Sequence, residues 1–391
     1  MMMMMSSSSS VWWSQFHGNA ERTGRCEVEG PRTNPGIVWK AEVGCHHWGP
    51  GCWVPGFEGT DSSPAVSPSG ALVYIGSYDH YLYAVSSENG TIVWKAYTGE
   101  SGIGIESSPA VSSQNIVVVG TYAKTVVAFN GSDGTSLWNY TTSDYVASAP
   151  AIHNETVYIG GVDGYLHSID VSTGKRKWAF SANKQAVWAP PMVSNHVVCF
   201  GSGGEANPYA DDHAHVFCVH ESSGNQLWNY SIGSSQVQSC PTLNSRNDTL
   251  YVGVYDGRLL ALDFDTGELK WATKKTGGRV ESSPITIKIF EKEIVVVGSF
   301  DGNLYAWNAD SGEFMWKTSL GKEVGSSPAT DRSGVIYIGG DPGVYAINST
   351  NGKIIWHFNG ASPKLVGSSP ALLSDGSLVV GGEDGWLYKL S

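Results

Sequence analysis

Apolar residues fall in short runs broken by turn residues. Runs such as Val73-Tyr74-Ile75-Gly76 and Ile294-Val295-Val296-Val297-Gly298 are too short for helices and rich in the β-branched residues that strands favour. The runs recur in a fixed order. Each unit opens with a Ser-Ser-Pro-Ala tetrapeptide (Ser62 to Ala65, Ser107 to Ala110, Ser326 to Ala329, Ser368 to Ala371) or with a variant ending at Ala151, Met192, Thr242 or Ile285. A β-branched strand ending in Gly follows, then a turn that is often Asp-Gly, as at Asp163-Gly164, Asp256-Gly257, Asp301-Gly302 and Asp384-Gly385. A third strand such as Leu82-Tyr83-Ala84-Val85 leads through a second Gly turn to a strand bearing a tryptophan. The motif prolines, Pro64 to Pro370, step by 45, 41, 41, 50, 43, 44 and 42 residues, the period of propeller blades.

The tryptophans of the last strands, Trp39, Trp94, Trp138, Trp178, Trp228, Trp271, Trp316 and Trp356, keep one phase in every unit. Rings of that size, each burying about 200 Å², are expected to fill the gaps between neighbouring blades. Trp39 precedes the first Ser-Ser-Pro-Ala, and the last unit stops at Leu390-Ser391 without its tryptophan strand. Pairing Ile37-Val38-Trp39 onto that unit completes eight four-stranded antiparallel blades and removes the open edge. The sequence therefore predicts an all-β, eight-bladed β-propeller over residues 12–391, closed by an N-terminal strand, after a low-complexity, disordered stretch over residues 1–11.

Composition agrees, with 48 glycines and 15 tryptophans in 391 residues of which only 15% are charged. A formal charge of −12 without clustered Lys or Arg argues against nucleic acid. No apolar run is long enough for a transmembrane helix, so a soluble protein, and a monomer, is expected. The start, five Met then five Ser, lacks the basic and apolar regions of a secretory signal. Compartment is left open, because a wrongly chosen start would hide such a signal. Sequons at Asn89, Asn130, Asn139, Asn154, Asn229, Asn247 and Asn348 are compatible with secretion, although turn-rich repeats also produce them by chance.

The repeat resembles the pyrroloquinoline-quinone-like propellers, on Ser-Ser-Pro-Ala, the Asp-Gly-x-Leu-Tyr-Ala hairpin and a Gly shortly before Trp, as in Thr266-Gly267-Glu268-Leu269-Lys270-Trp271. The leader from Gln15 to Gly24 is similar to the segment that often precedes the first blade of such proteins. The resemblance implies one of two functions. One is a non-enzymatic binding scaffold of the bacterial outer-membrane assembly lipoprotein type. The other is a quinone-dependent alcohol dehydrogenase with pyrroloquinoline quinone and Ca²⁺. The chain lacks the adjacent cysteine pair that many of those dehydrogenases carry, and their calcium and base residues do not align onto it. No catalytic residue and no cofactor are therefore predicted, and the quinone with Ca²⁺ is the alternative.

Residues just before the Ser-Ser-Pro-Ala motifs should meet at the mouth of the central channel: Asp61, Glu106, Ala147, Trp188, Gln238, Glu281, Gly325 and Gly367. Among them Asp61, Glu106, Trp188, Gln238 and Glu281 are candidate ligand contacts, suited to a cation, an amine or a polar group. Two loops elaborate the same rim. The Gly203 to His215 insertion carries Asp211, Asp212, His213 and His215, but metal binding is not predicted. In Cys45-His46-His47-Trp48-Gly49-Pro50-Gly51-Cys52-Trp53 the cysteines fit a local disulfide, free thiols or a zinc site. Cys218 and Cys240 take slots that small core residues fill elsewhere, and no partner is legible for Cys26 or Cys199. The expected partner is a protein or peptide on this rim; a small quinoprotein dehydrogenase, contacting its quinone through Asp61, Glu106 and Glu281, is the alternative.

Overall fold

The computed structural model describes residues 13–44, 59–100, 102–204, 213–360 and 367–391. Every repeat forms one four-stranded antiparallel sheet, and the eight sheets form a ring. In the first blade Ala65–Val66 is innermost, followed outward by Leu72–Gly76, Tyr81–Ser86 and Ile92–Tyr97. Second strands are covered on both faces by neighbouring blades, so Thr249–Gly253 is buried throughout. Outermost strands touch the core on one side only, and Ile92–Tyr97 accordingly alternates, with Trp94 inward and Lys95 outward. The eighth blade joins Ala371–Leu372, Leu378–Gly381 and Trp386–Leu390 to the N-terminal Ile37–Glu42, which pairs with Trp386–Leu390 in antiparallel register.

The repeat motifs act as joints. The first motif serine accepts from the amide of the Gly at or next to the end of its own second strand, as Gly120 N to Ser107 Oγ at 3.2 Å, and donates to the next blade, as Ser107 Oγ to Ser148 O at 2.8 Å. That Gly admits no side chain, since a Cβ on Gly120 would lie 2.5 Å from Val146. Each blade tryptophan donates its indole N–H across the gap to a carbonyl of the following blade's last turn, as Trp94 to Gly131 at 2.7 Å and Trp228 to Phe264 at 2.9 Å. At the closure Trp39 reaches Ser87 at 3.1 Å, and Trp356 reaches Pro31 of the leader at 2.8 Å.

The leader closes the channel. Val66, Val111 and Val193 donate their amides to Trp13, Ser14 and Ala20, and Thr330 donates to Gly24, so one turn-rich segment pairs the inner edges of four blades. Where blades three to five lack the second motif serine, having Ala149, Pro190 and Cys240 instead, the leader supplies Arg22. Its guanidinium, fully buried, donates to Phe16 O, Pro150 O and Pro191 O at 2.5, 2.9 and 3.0 Å. Burial lowers Arg22 to about 10, which leaves it charged at neutral pH, and burial with Arg22 nearby pushes His17 down to about 3, which leaves it neutral.

Cys199 and Cys218 face each other on the second and third strands of the fourth blade and form a disulfide with a Cα–Cα distance of 4.2 Å. Cys218 is thus a core residue, as its slot predicts, but a bonded one, and Cys199 has the partner that spacing did not disclose. Cys26 and Cys240 are buried thiols.

Candidate functional site

The eight residues that precede the motifs, one per blade, line a single cavity of about 380 Å³ at the end of the ring where each innermost strand begins. Asp61, Glu106, Trp188, Gln238 and Glu281 are all among its walls. Antiparallel geometry explains the convergence, because every loop entering an innermost strand descends from the same face. Phe16 of the leader also contributes to the lining, so the cavity is a cup with a floor beneath it.

The carboxyls are held by tyrosines one turn outward. Tyr78 Oη donates to Asp61 Oδ2 and Tyr122 Oη to Glu106 Oε2, each at 2.5 Å. Burial raises Asp61, and burial together with neighbouring Asp61 and Glu281 raises Glu106 to about 7 despite the Tyr122 bond. Burial raises Glu281 as well, against its ion pair with Arg279 at 2.5 Å. The Arg279 guanidinium lies 3.8 Å from the centre of the Phe300 ring. Tyr122 stacks on Tyr145 at 4.6 Å, and Tyr145 meets Trp188 edge-on at 5.6 Å, forming an aromatic arc along one side.

Several lining residues escaped the sequence reading. Arg279 and Glu323 stand two positions before Glu281 and Gly325, the alternation that returns a side chain to the same side of an extended segment. Phe300 and Glu383 come from turns between second and third strands, which reach the same face. Phe16 carried no signal beyond the leader motif. At the start of the Gly203 to His215 insertion, Gly204 lies against Trp188, where a Cβ would be 3.0 Å from the indole nitrogen. His213 is exposed and His215 half-buried beside Phe217, whereas Asp211 and Asp212, and the whole loop from Cys45 to Trp53, lie outside the described residues. Among the described residues no group of three or more His, Cys, Asp or Glu is placed to hold a metal ion. No helix there is long and apolar enough to cross a membrane.

A family profile described as outer membrane protein assembly factor BamB matches residues 78–236, 185–303 and 282–391. Tetrathionate hydrolase of Acidithiobacillus ferrooxidans is 23% identical over 76% of this chain and 66% of its own length. Outer membrane protein assembly factor BamB of Yersinia pestis is 24% identical over 52% of this chain and 54% of its own. The chain thus spans between about half and two thirds of the length of these curated relatives. The solved quinohemoprotein alcohol dehydrogenase of Comamonas testosteroni superposes with a TM-score of 0.77 at 13% identity, over 98% of this chain and 81% of that one, a likeness of fold alone. With profile matches running unbroken from residue 78 to the C-terminus, over blades that carry its repeat, the chain belongs to the BamB-type family of PQQ-like repeat propellers.

Proposed function

We propose that this protein is a non-enzymatic scaffold that binds a protein or peptide partner on the cup face, anchoring it through a basic side chain lowered into the cup. The observation that supports this reading is the set of crowded carboxyls, Asp61, Glu106 and Glu281, beside an aromatic arc in a closed-bottomed cavity. In the free protein these carboxyls resist ionisation because burial penalises their charge. An ammonium or guanidinium group entering the cup would supply the missing counter-charge, release the proton held by Glu106 and rest against Trp188. A relative named as an assembly factor is consistent with a partner-binding role.

A pyrroloquinoline quinone fits this lining poorly. The quinone carries three carboxylates, and among the described residues the cup offers Arg279 alone as a cationic side chain, already paired with Glu281. No catalytic step is derived through it. Titration with the quinone and Ca²⁺, followed by tryptophan fluorescence, checks this: saturable quenching would restore the dehydrogenase reading.

The binding reading is tested with an oligolysine peptide as probe, by calorimetry on the full chain. Affinity should rise as pH increases through about 7, because Glu106 becomes anionic there. Glu106→Gln should flatten that pH profile, and with Glu281→Gln should weaken binding about tenfold, close to 1.4 kcal/mol. Binding that neither substitution changes, or none at all, would sink the anchoring role.

A further inference from the structure

The sequons are sorted by the fold in a way that the sequence alone does not reveal. Each blade has an upper end, where the innermost strand begins and the second and third strands turn, and a lower end carrying the other two turns. Asn89, Asn130 and Asn348 lie in or at turns between third and fourth strands, and Asn154 and Asn247 in turns between first and second strands, so all five are on the lower face. Asn139 and Asn229 lie on outermost strands, Ser136–Thr141 and Gln226–Gly233, on the exposed positions directly after Trp138 and Trp228. None belongs to the cup face, although asparagines stand there too: Asn183 and Asn359 lack a Ser or Thr two positions later.

All seven asparagines are exposed or part-exposed. The turn sequons have a local explanation, since Asn89 and Asn348 accept from the backbone N–H and hydroxyl of Thr91 and Thr350 through Oδ1, an Asx-turn that leaves the side-chain nitrogen unbonded. Asn139 and Asn229 sit in strands and have no turn role. An independent observation comes from the fourth blade. Its Cys199–Cys218 disulfide is a bond that persists in oxidising compartments, and the secretory pathway, where Asn-x-Ser/Thr is glycosylated, is one of these.

We infer that this protein is an N-glycoprotein of the secretory pathway, with glycans on Asn139 and Asn229 and on the lower-face turns, and with the cup face left bare. Glycans on the outer strands and lower turns would project from exposed or part-exposed positions, and they would shield the outermost edges from pairing with other chains. This inference stands on sequon placement and the disulfide, and does not depend on what the cup binds.

The experiment is peptide mapping of the protein purified from its native source, with and without peptide-N-glycosidase in heavy-oxygen water. The enzyme converts each glycosylated asparagine to isotope-labelled aspartate. Label at Asn139 and Asn229, with additional label confined to the other five sequons, is the expected result. Unlabelled Asn139 and Asn229 would overturn the proposal. In parallel, denatured but unreduced protein is alkylated: protection of Cys199 and Cys218 is expected. Their full alkylation would remove the oxidising compartment, and with it the proposal.

Discussion

Arg22 brings a full positive charge into the interior without a carboxylate to meet it. Carbonyls of Phe16, Pro150 and Pro191 accept its hydrogen bonds instead, so one side chain ties the leader to two blades. An apolar substitute would bury those oxygens unsatisfied, which is the costly half of breaking a hydrogen-bonded site. Arg22→Met is expected to lower stability by about 3 kcal/mol or more in denaturant titration, since each buried carbonyl left without its donor costs about 1–3 kcal/mol. A loss within about 0.5 kcal/mol, as for a neutral surface change, would show that the leader does not carry this load. His17 adds a pH term of defined sign. Its folded value of about 3 lies below the ordinary 6.5, so the unfolded chain binds the extra proton between them and stability falls as pH drops through that window.

At the level of the strand, the Cys199–Cys218 bond bridges two neighbours in a sheet across a separation of 19 residues. Its span contains the Gly203 to His215 insertion, so the bond ties together the two strands between which that insertion falls. Closing a loop of that size is worth about 3 kcal/mol through the unfolded chain. Reductant should lower the denaturation midpoint correspondingly in the wild type and leave a Cys199→Ala, Cys218→Ala double variant unmoved; an equal response in both would mean the bond contributes nothing. Strand order, turns and the convergence of Asp61, Glu106, Trp188, Gln238 and Glu281 were legible in the sequence because each rests on repetition: a residue at one phase of eight units must occupy one level of the ring. Cys199 opposite Cys218 was not legible, because pairing register across an inserted loop has no counterpart in the other blades. The leader was recognised by resemblance, but where its side chains go was hidden for the same reason. Trp13, Phe16 and Arg22 occur once, and their places were marked only by Ala149, Pro190 and Cys240, which break the serine pattern in three consecutive units.

A ring of blades has no terminal cap, so its integrity depends on how the first and last units are joined. Here the chain's N-terminal part joins them twice. Ile37–Glu42 completes the eighth sheet, with Trp39 bonded to Ser87 of the first blade, and Lys389 reaches the same carbonyl at 2.9 Å. Pro31 of the leader takes the indole bond of Trp356, standing in for the turn that an unbroken eighth blade would have supplied. The two joints can be separated. A chain starting at Gly30 keeps the closing strand but loses the cup floor and the inner-edge pairing of Val66, Val111, Val193 and Thr330. It should fold to the same hydrodynamic size with a lower melting temperature. A chain starting at Val43 also loses the closing strand and exposes the edge of Trp386–Leu390. It should melt without cooperativity or self-associate through that edge in size-exclusion chromatography. Adding a synthetic peptide spanning residues 13–44 should restore the monomeric peak, since the strand it supplies pairs by backbone register alone. If the shorter truncation and the longer one melted alike, closure by Ile37–Glu42 would carry no weight of its own, and the leader's plug would be what holds the ring shut.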